Sequence, residues 1–329
     1  MADNSEHSTS APGLDKQKWP WKTEPQNISV NDGPNLSIIT PSYNQADYIE
    51  ATLLSVLNQS YQNVDYIVMD GASTDGSVEI LRKYESRLSR LESAKDDGQA
   101  DAINKGISRA EGEWIAFLNS DDLYLPDALQ AIARQLKQTK SRWVTGGVRI
   151  LGDNGADYGT RYPDLPYPAD LGAWLTYENQ VPQQGCFVHR SVFDEIGQFD
   201  TSMHHAFDLD FWVRMSLAGI QPELLEQPLA VFRIQDSSKS MTGRLPFVED
   251  HRKILEKHRD SVSAKSYQTI TKKLNGMEAN SRIYAAANWA EQEDRSKALK
   301  QLSHAFRLKK SSSLTRPFWG AVKRTFTGA

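Results

Sequence analysis

Five aspartates carry the chemistry to be expected of this chain. Asp121 and Asp122 are adjacent in Phe117-Leu-Asn-Ser-Asp-Asp-Leu-Tyr-Leu-Pro126, where an apolar run stops, two carboxylates follow and an apolar run resumes. Like charges side by side repel, so solvent, hydrogen bonds or a cation must offset the cost. On a surface loop such a pair is most often merely solvated; behind a strand expected to be central, that explanation weakens. Paired oxygens at a strand end suit a hard divalent ion, Mg2+ or Mn2+, held jointly with substrate phosphates. Asp70 closes the apolar run 64–70 and is followed by Gly71-Ala-Ser-Thr-Asp-Gly76. A carboxylate at that terminus can accept the N–H of a pyrimidine ring. Asp75 and Ser77 have the plainer role of capping the next helix. G-x-G-x-x-G is absent, which argues against a dinucleotide-dependent dehydrogenase. Asp208 and Asp210, in Phe207-Asp-Leu-Asp-Phe-Trp212, are two apart, so on a helix they point to different sides and only one can easily face a cleft. The alternative there is an ordinary amphipathic helix with acids near its N-terminal dipole.

The elements that must position these groups alternate in type. An apolar run over 36–40 ends in Pro41-Ser42-Tyr43-Asn44, a turn signal. Strands are expected over 64–70 and 113–119, with a short candidate at 90–94. Between them Ile49, Leu53, Val56 and Leu57 fall at helical spacing, with Asp47 and Glu50 in the relation of a capping box. Helical periodicity also covers 77–88 and 98–110, and Pro126 opens a helix over 126–139. This β-α-β-α rhythm predicts an α/β fold with a mainly parallel sheet flanked by helices. Ligands in such sheets sit beyond the carboxyl ends of the strands. The polar clusters at Pro41–Asn44, Asp70–Gly76 and Asn119–Asp122 all fall at those ends, so three strand ends should converge on one place. Farther along, strands are expected over 143–150 and 228–234, a loop over 152–172, a helix from Phe207 to Leu217, and mostly helix from about Pro246.

The formal net charge is −4, from 38 Lys+Arg and 42 Asp+Glu. That argues against a whole-chain nucleic-acid binder. No run approaches the roughly 20 apolar residues of a transmembrane helix, and the polar N-terminal stretch shows no secretory signal. Cys186 is the one cysteine, which excludes an intrachain disulfide and a cysteine-based zinc site and suits a cytoplasmic location. Residues 1–34 are expected to be an irregular arm, pinned to the domain surface by Trp19-Pro20-Trp21 or offering those rings to an acceptor. From Lys300 to the end there are seven Lys or Arg and no Asp or Glu, interleaved with Phe306, Phe318, Trp319 and Phe326. That pattern fits peripheral contact with the inner face of a membrane, or an acidic partner; a solvated helix end is the plain alternative.

The segments Leu36–Tyr61, Tyr66–Leu81, Asp96–Leu129 and Ala206–Met215, taken together and in order, resemble family 2 glycosyltransferases with the GT-A fold, of the bacterial polysaccharide type. The resemblance runs from about Leu36 to Ser240, taking in Val181–Asp200, similar to the family's acceptor-side segment, and Ala230–Ser240, similar to its late strand and loop. It implies a transferase domain over 35–243 between the arm and a helical region over 244–329. It implies that Pro41, Ser42 and Tyr43 line the base and ribose of a nucleoside diphosphate donor, a UDP-sugar in first expectation, with Asp70 on the uracil-type ring. Asn119, Ser120 and Asp121 occupy the DXD place, with Asp121 as ligand of Mg2+ or Mn2+ and Asp122 beside it. Asp208 matches the catalytic base of an inverting transfer to a saccharide or lipid-linked saccharide, and Asp210 is then structural. Three departures stand out: Asn119 replaces the first DXD carboxylate, Asp97 stands where many relatives carry a basic residue, and Gln235 stands where a metal-binding histidine is frequent. They imply a metal site thin on the protein side. Arg233 is expected either at the diphosphate or in a surface salt bridge. The rival functions are a non-catalytic nucleotide-sugar-binding or regulatory protein on the same scaffold, and a nucleotidyltransferase. The latter would carry a Gly-rich basic loop after the first strand, which Pro41–Tyr48 is not.

Overall fold

The structure, a computed structural model, describes residues 18, 20, 33–164, 170–176, 181–235, 245–309 and 315–327. Trp19, Trp21, nearly all of the N-terminal arm, residues 236–244 and the side chain of Phe326 lie outside the described residues. In chain order the described elements are β1 (Leu36–Ser42), α1 (Ile49–Leu57), β2 (Val64–Asp70), α2 (Ser77–Lys83), β3 (Arg90–Ser93), α3 (Gln99–Arg109), β4 (Trp114–Phe117), β5 (Leu123–Tyr124), α4 (Ala128–Leu136), β6 (Trp143–Gly152), β7 (Asp157–Arg161), α5 (Leu171–Thr176), β8 (Cys186–His189), α6 (Arg190–Ile196), α7 (Phe207–Leu217), β9 (Pro222–Ile234), α8 (Leu245–Lys257), α9 (Ala264–Glu291), α10 (Arg295–Leu308) and α11 (Arg316–Thr327). They group into two units, residues 1–165 with 179–235, and residues 166–178 with 236–329.

The first unit is built on one sheet of order β3-β2-β1-β4-β8-β6-β9-β5, with β7 added on β6. Its β3-β2-β1-β4 half is wholly parallel, as the strand-helix rhythm predicts. Every residue of β1 is buried, as expected of a central strand covered on both faces. The other half is mixed: β8 runs antiparallel to both β4 and β6, and β6 runs parallel to β9. The register sets Ser42 opposite Asp70, Asp70 opposite Ser93 and Ile39 opposite Phe117, so the three polar clusters do leave the sheet at one edge. Leu36, Ile38, Leu53, Val68, Trp114, Leu129, Phe187 and Leu229 belong to the core between sheet and helices.

Two local expectations give way to tertiary contacts. The capping box at Asp47 and Glu50 does not form: α1 begins at Ile49 with no side-chain cap, and Glu50 accepts the Tyr84 hydroxyl at 2.9 Å. A loop was expected over 152–172, but Asp157–Arg161 pairs with β6 as a hairpin strand. All five of its residues are exposed, so the buried-face alternation that identifies a strand is missing.

The second unit is helical. Ala279, Ile283, Ala286, Ala287 and Ala290 of α9 pack with Ala298, Leu302 and Ala305 of α10 and Ala321 of α11, small side chains that let helices approach closely. Glu278 of α9, 8 % exposed, accepts from Arg252 Nη2 and Arg282 Nη2, each at 2.7 Å. Burial opposes its ionisation, but the two guanidiniums outweigh it and hold Glu278 below the usual carboxylate range. Among the described residues no helix is long and apolar enough to cross a membrane.

Candidate active site

At the shared edge the first two loops are laced together. Gly71 N–H donates to the Ser42 carbonyl at 2.8 Å, Asn44 N–H to Ser73 Oγ at 2.8 Å, and Thr74 N–H to Asn44 Oδ1 at 2.9 Å. Asp75 accepts from Ser77 N–H at 3.0 Å and from Ala46 N–H at 2.9 Å, so its turn role also ties the loops to each other. Asp70 is 2 % exposed, and its carboxylate accepts Ser73 Oγ at 2.5 Å, Ser73 N–H at 3.0 Å and Ser93 Oγ at 2.7 Å. A carboxylate has about four lone-pair sites, so roughly one acceptor position remains. Pro41 and Ser42 are buried in β1, and Ser42 Oγ has no hydrogen-bond partner among the described residues. Tyr43 is 61 % exposed, an open ring. Gly71 leaves room beneath it: a Cβ there would come 3.3 Å from Tyr43 Cδ2 and 2.8 Å from Asp96 Oδ2.

The loop after β4 gives its two carboxylates different surroundings. Asp122 is fully buried and accepts from Gln184 Nε2 at 2.7 Å, Asn119 Nδ2 at 3.1 Å and Arg233 N–H at 3.1 Å. Burial first, and then the charge of Asp121, push it well above the usual carboxylate range. Those bonds spend its oxygens on the protein, and Asp121 is the better placed of the pair for a ligand. Asn119 is a hub: its Oδ1 accepts Gln99 Nε2 at 2.7 Å and Gln183 Nε2 at 3.0 Å, while its Nδ2 supports Asp122. Ser120 is buried, and its carbonyl and that of Asp122 each lie 2.8 Å from Thr52 Oγ1 of α1, which fixes the loop backbone.

Asp121 faces a polar cluster drawn from three other elements. Its Oδ2 accepts Gln235 Nε2 at 2.5 Å. Asp153, just past β6, is close enough for its charge to add to the burial that raises the Asp121 pKa. Asp153 accepts the Tyr48 hydroxyl at 2.8 Å on Oδ2, while its buried Oδ1 has no hydrogen-bond partner among the described residues. Arg233 is 1 % exposed, which rules out the surface salt bridge. Its guanidinium sits 4.9 Å from the Tyr48 ring centroid, donates to the Asp121 backbone carbonyl, and reaches Tyr48 O and Thr52 Oγ1 at 3.3 Å. Burial pulls its pKa down, and the surrounding carboxylates pull it back up. The carboxyl groups of Asp121, Asp122 and Asp153 thus share Arg233 as a neighbouring cation.

That donor set fits Mg2+ or Mn2+. Asp121 and Asp153 contribute hard oxygens, and the orphaned Asp153 Oδ1 lacks the partner a cation would supply. Among the described residues no three His, Cys, Asp or Glu side chains gather as a self-sufficient site. One or two carboxylates plus substrate phosphates is the usual mode for Mg2+.

The two remaining aspartates divide as their spacing predicts. Asp210 is fully buried and paired with Arg214 at 2.9 Å, whose guanidinium also donates to the carbonyls of Ile196 and Gln198, fastening α7 to the end of α6. Asp208 is half-buried in the first turn of α7. It lies near Cys186, whose buried thiol is pushed up to about 12 by burial and, to a lesser degree, by the Asp208 charge. Since β8 runs antiparallel to β4, Cys186 sits at the same end of the sheet as Asn119–Asp122. Sequence reasoning alone did not single out Asp153, Tyr48, Asp96 or the amides of Gln99, Gln183 and Gln184. The last two stand in Val181–Asp200, noted only as a segment. Asp153 follows Gly152 in a stretch read as loop, and nothing local connects it with Asp121.

The chain is similar to known proteins in both sequence and fold. A sequence profile of the family described as glycosyl transferase family 2 matches residues 37–197. The "Putative teichuronic acid biosynthesis glycosyltransferase TuaG" of Bacillus subtilis (strain 168) is 30 % identical over 217 residues, 64 % of this chain and 83 % of that protein. An uncharacterized glycosyltransferase of Mycobacterium tuberculosis (strain ATCC 25618 / H37Rv) is 31 % identical over 193 residues, 57 % of this chain and 71 % of that protein. In fold, the chain is similar to S. aureus TarS 1-349 in complex with UDP-GlcNAc, with a TM-score of 0.57 at 18 % identity over 88 % of each chain. It is also similar to the mannosyltransferase PcManGT from Pyrobaculum calidifontis in complex with GDP-Man and Mn2+, with a TM-score of 0.53 at 17 % identity over 93 % of this chain and 92 % of that one. With a sequence relative matched over most of its own length and the fold shared with solved transferases, this chain belongs to glycosyl transferase family 2 and is a glycosyltransferase of GT-A fold.

Proposed function

We propose that the enzyme transfers a sugar from a nucleoside diphosphate donor, a UDP-sugar, to a hydroxyl of a saccharide or lipid-linked saccharide acceptor with inversion, through residues 35–243. The observation that carries this reading is the meeting, at one sheet edge, of the Asn119–Asp122 loop with the Tyr43 and Asp70 loops, with Asp208 of α7 near Cys186 at the same end of the sheet. The donor base would lie on the exposed Tyr43 ring, with Ser42 Oγ and the remaining Asp70 acceptor at its edge and Asn119 and Ser120 toward the ribose. Asp121, with Asp153 and Gln235 beside it, would hold Mg2+ or Mn2+; the bound ion supplies positive charge against the departing diphosphate. Asp122 acts as the anchor of this loop, and buried Arg233 keeps the Asp121 backbone in place. Asp208 accepts the proton of the acceptor hydroxyl while its oxygen bonds to the anomeric carbon from the face opposite the leaving oxygen. The carbon–oxygen bond to the diphosphate breaks in the same displacement, so no covalent enzyme intermediate is required and configuration inverts.

Titration of the enzyme with UDP by calorimetry, with and without Mn2+, tests the donor site. Mn2+ should tighten UDP binding in the wild type, and Asp121→Asn should remove that gain while leaving metal-free binding. Absence of any metal-dependent nucleoside diphosphate binding would sink the reading.

A further inference from the structure

In the helical unit, α10 and α11 turn their small buried residues toward α9, which leaves their opposite faces outward. Those outward faces are unusual in composition. On α11, Trp319 is 60 % exposed and edge-on to half-buried Phe318 at 5.9 Å. Exposed Arg316 precedes it by three residues and exposed Lys323 follows by four, so all three share one stripe of the helix. On α10, Leu299 and Phe306, 42 % and 44 % exposed, are seven residues apart and therefore on one side, with Lys300 and Arg307 next to them. Exposed apolar side chains gathered on a face and rimmed by polar residues mark interaction sites. From Arg295 to the end the chain has nine Lys or Arg and no Asp or Glu, and of these Lys297 and Arg324 pair with Asp294 and Glu291, which lie before that run.

We propose that the outward faces of α10 and α11 bind an anionic lipid surface, with Trp319 and Phe306 entering the headgroup region and Arg307, Arg316 and Lys300 meeting lipid phosphates. Indole and phenyl rings settle at that depth, and basic residues add attraction to anionic headgroups. Because no described helix can cross a membrane, the association is peripheral, along the plane of the helices. It is independent of the catalytic assignment, which rests on the other unit.

Flotation of the full-length protein with phosphatidylcholine vesicles, and with vesicles containing phosphatidylglycerol, tests this. The protein should float with the anionic vesicles only, and less so as salt rises from about 0.1 to about 0.5 M. The R307Q/R316Q pair should weaken partition about 30-fold, from ~1 kcal/mol per removed cation, and W319A at least about tenfold. All three side chains are exposed, so circular dichroism should be unchanged. Failure to float with anionic vesicles, or flotation that none of these substitutions lowers, overturns the proposal. Binding of polyglutamate as tight as binding of vesicles, and indifferent to Trp319, would assign the face to an acidic polypeptide instead and equally overturns it.

Discussion

Asn119 shows how a single amide reorganises a carboxylate loop. Asp122 is fully buried, and one of its supports is the Asn119 Nδ2 at 3.1 Å. A carboxylate at 119 would turn that donor into a second acceptor facing a buried anion, so Asn119→Asp should cost about 1–3 kcal/mol of stability. A proton shared between the two carboxylates would relieve the repulsion. Their folded pKa would then lie above the unfolded value, so the loss should be small at acid pH and grow as pH rises, as thermal melts at several pH values can read. Asp208 carries the complementary prediction. It comes from a different element, α7, so Asp208→Asn should leave UDP affinity nearly unchanged. Transfer should fall about 10²–10⁴-fold, the usual worth of a general base. Comparing calorimetry with a coupled turnover assay separates the two effects, and near-normal turnover would place the base elsewhere.

At the scale of elements, the site depends on how closely α3 sits on β1. Gly106, in the interior of α3, faces Ile39, and a Cβ there would come 2.5 Å from Ile39 Cγ2. Alanine is ordinarily favoured over glycine in a helix by about 1 kcal/mol. Here the β-branched neighbour on a central strand has no room to yield. Gly106→Ala should therefore be net destabilising, with overpacking costing about 1–3 kcal/mol. Because α3 begins at Gln99, whose amide holds Asn119 at 2.7 Å, the same change should also weaken UDP binding. A lowered urea midpoint with a weaker calorimetric Kd is the expected pair of results; a more stable variant would show that the helix shifts freely.

Across the molecule, the helical unit carries its own pH dependence. His251 of α8 is 8 % exposed, near the Leu175 backbone and Asp250, and burial lowers its pKa to about 4 from the ordinary 6.5. The unfolded chain takes up this proton as pH falls below about 6.5, whereas the folded chain resists until about 4, so stability is lost across that window. The effect is on the order of 3 kcal/mol, and His251→Gln should flatten the fall in urea midpoint between pH 6.5 and 4. The alternation of apolar strands and amphipathic helices was local information, and it determined the parallel half of the sheet and the shared edge of Tyr43, Asp70 and Asn119. Spacing of two residues separated Asp208 from Asp210 because helix geometry is fixed at short range. Burial and long-range approach are properties of the folded chain. They decided that Asp122 is enclosed by Gln184, Asn119 and Arg233, and that Arg233 lies inside the protein. They also decided that Asp153, 32 positions away, comes near Asp121. No periodicity records such contacts, because a hairpin and a late strand must first be paired in register before these side chains meet.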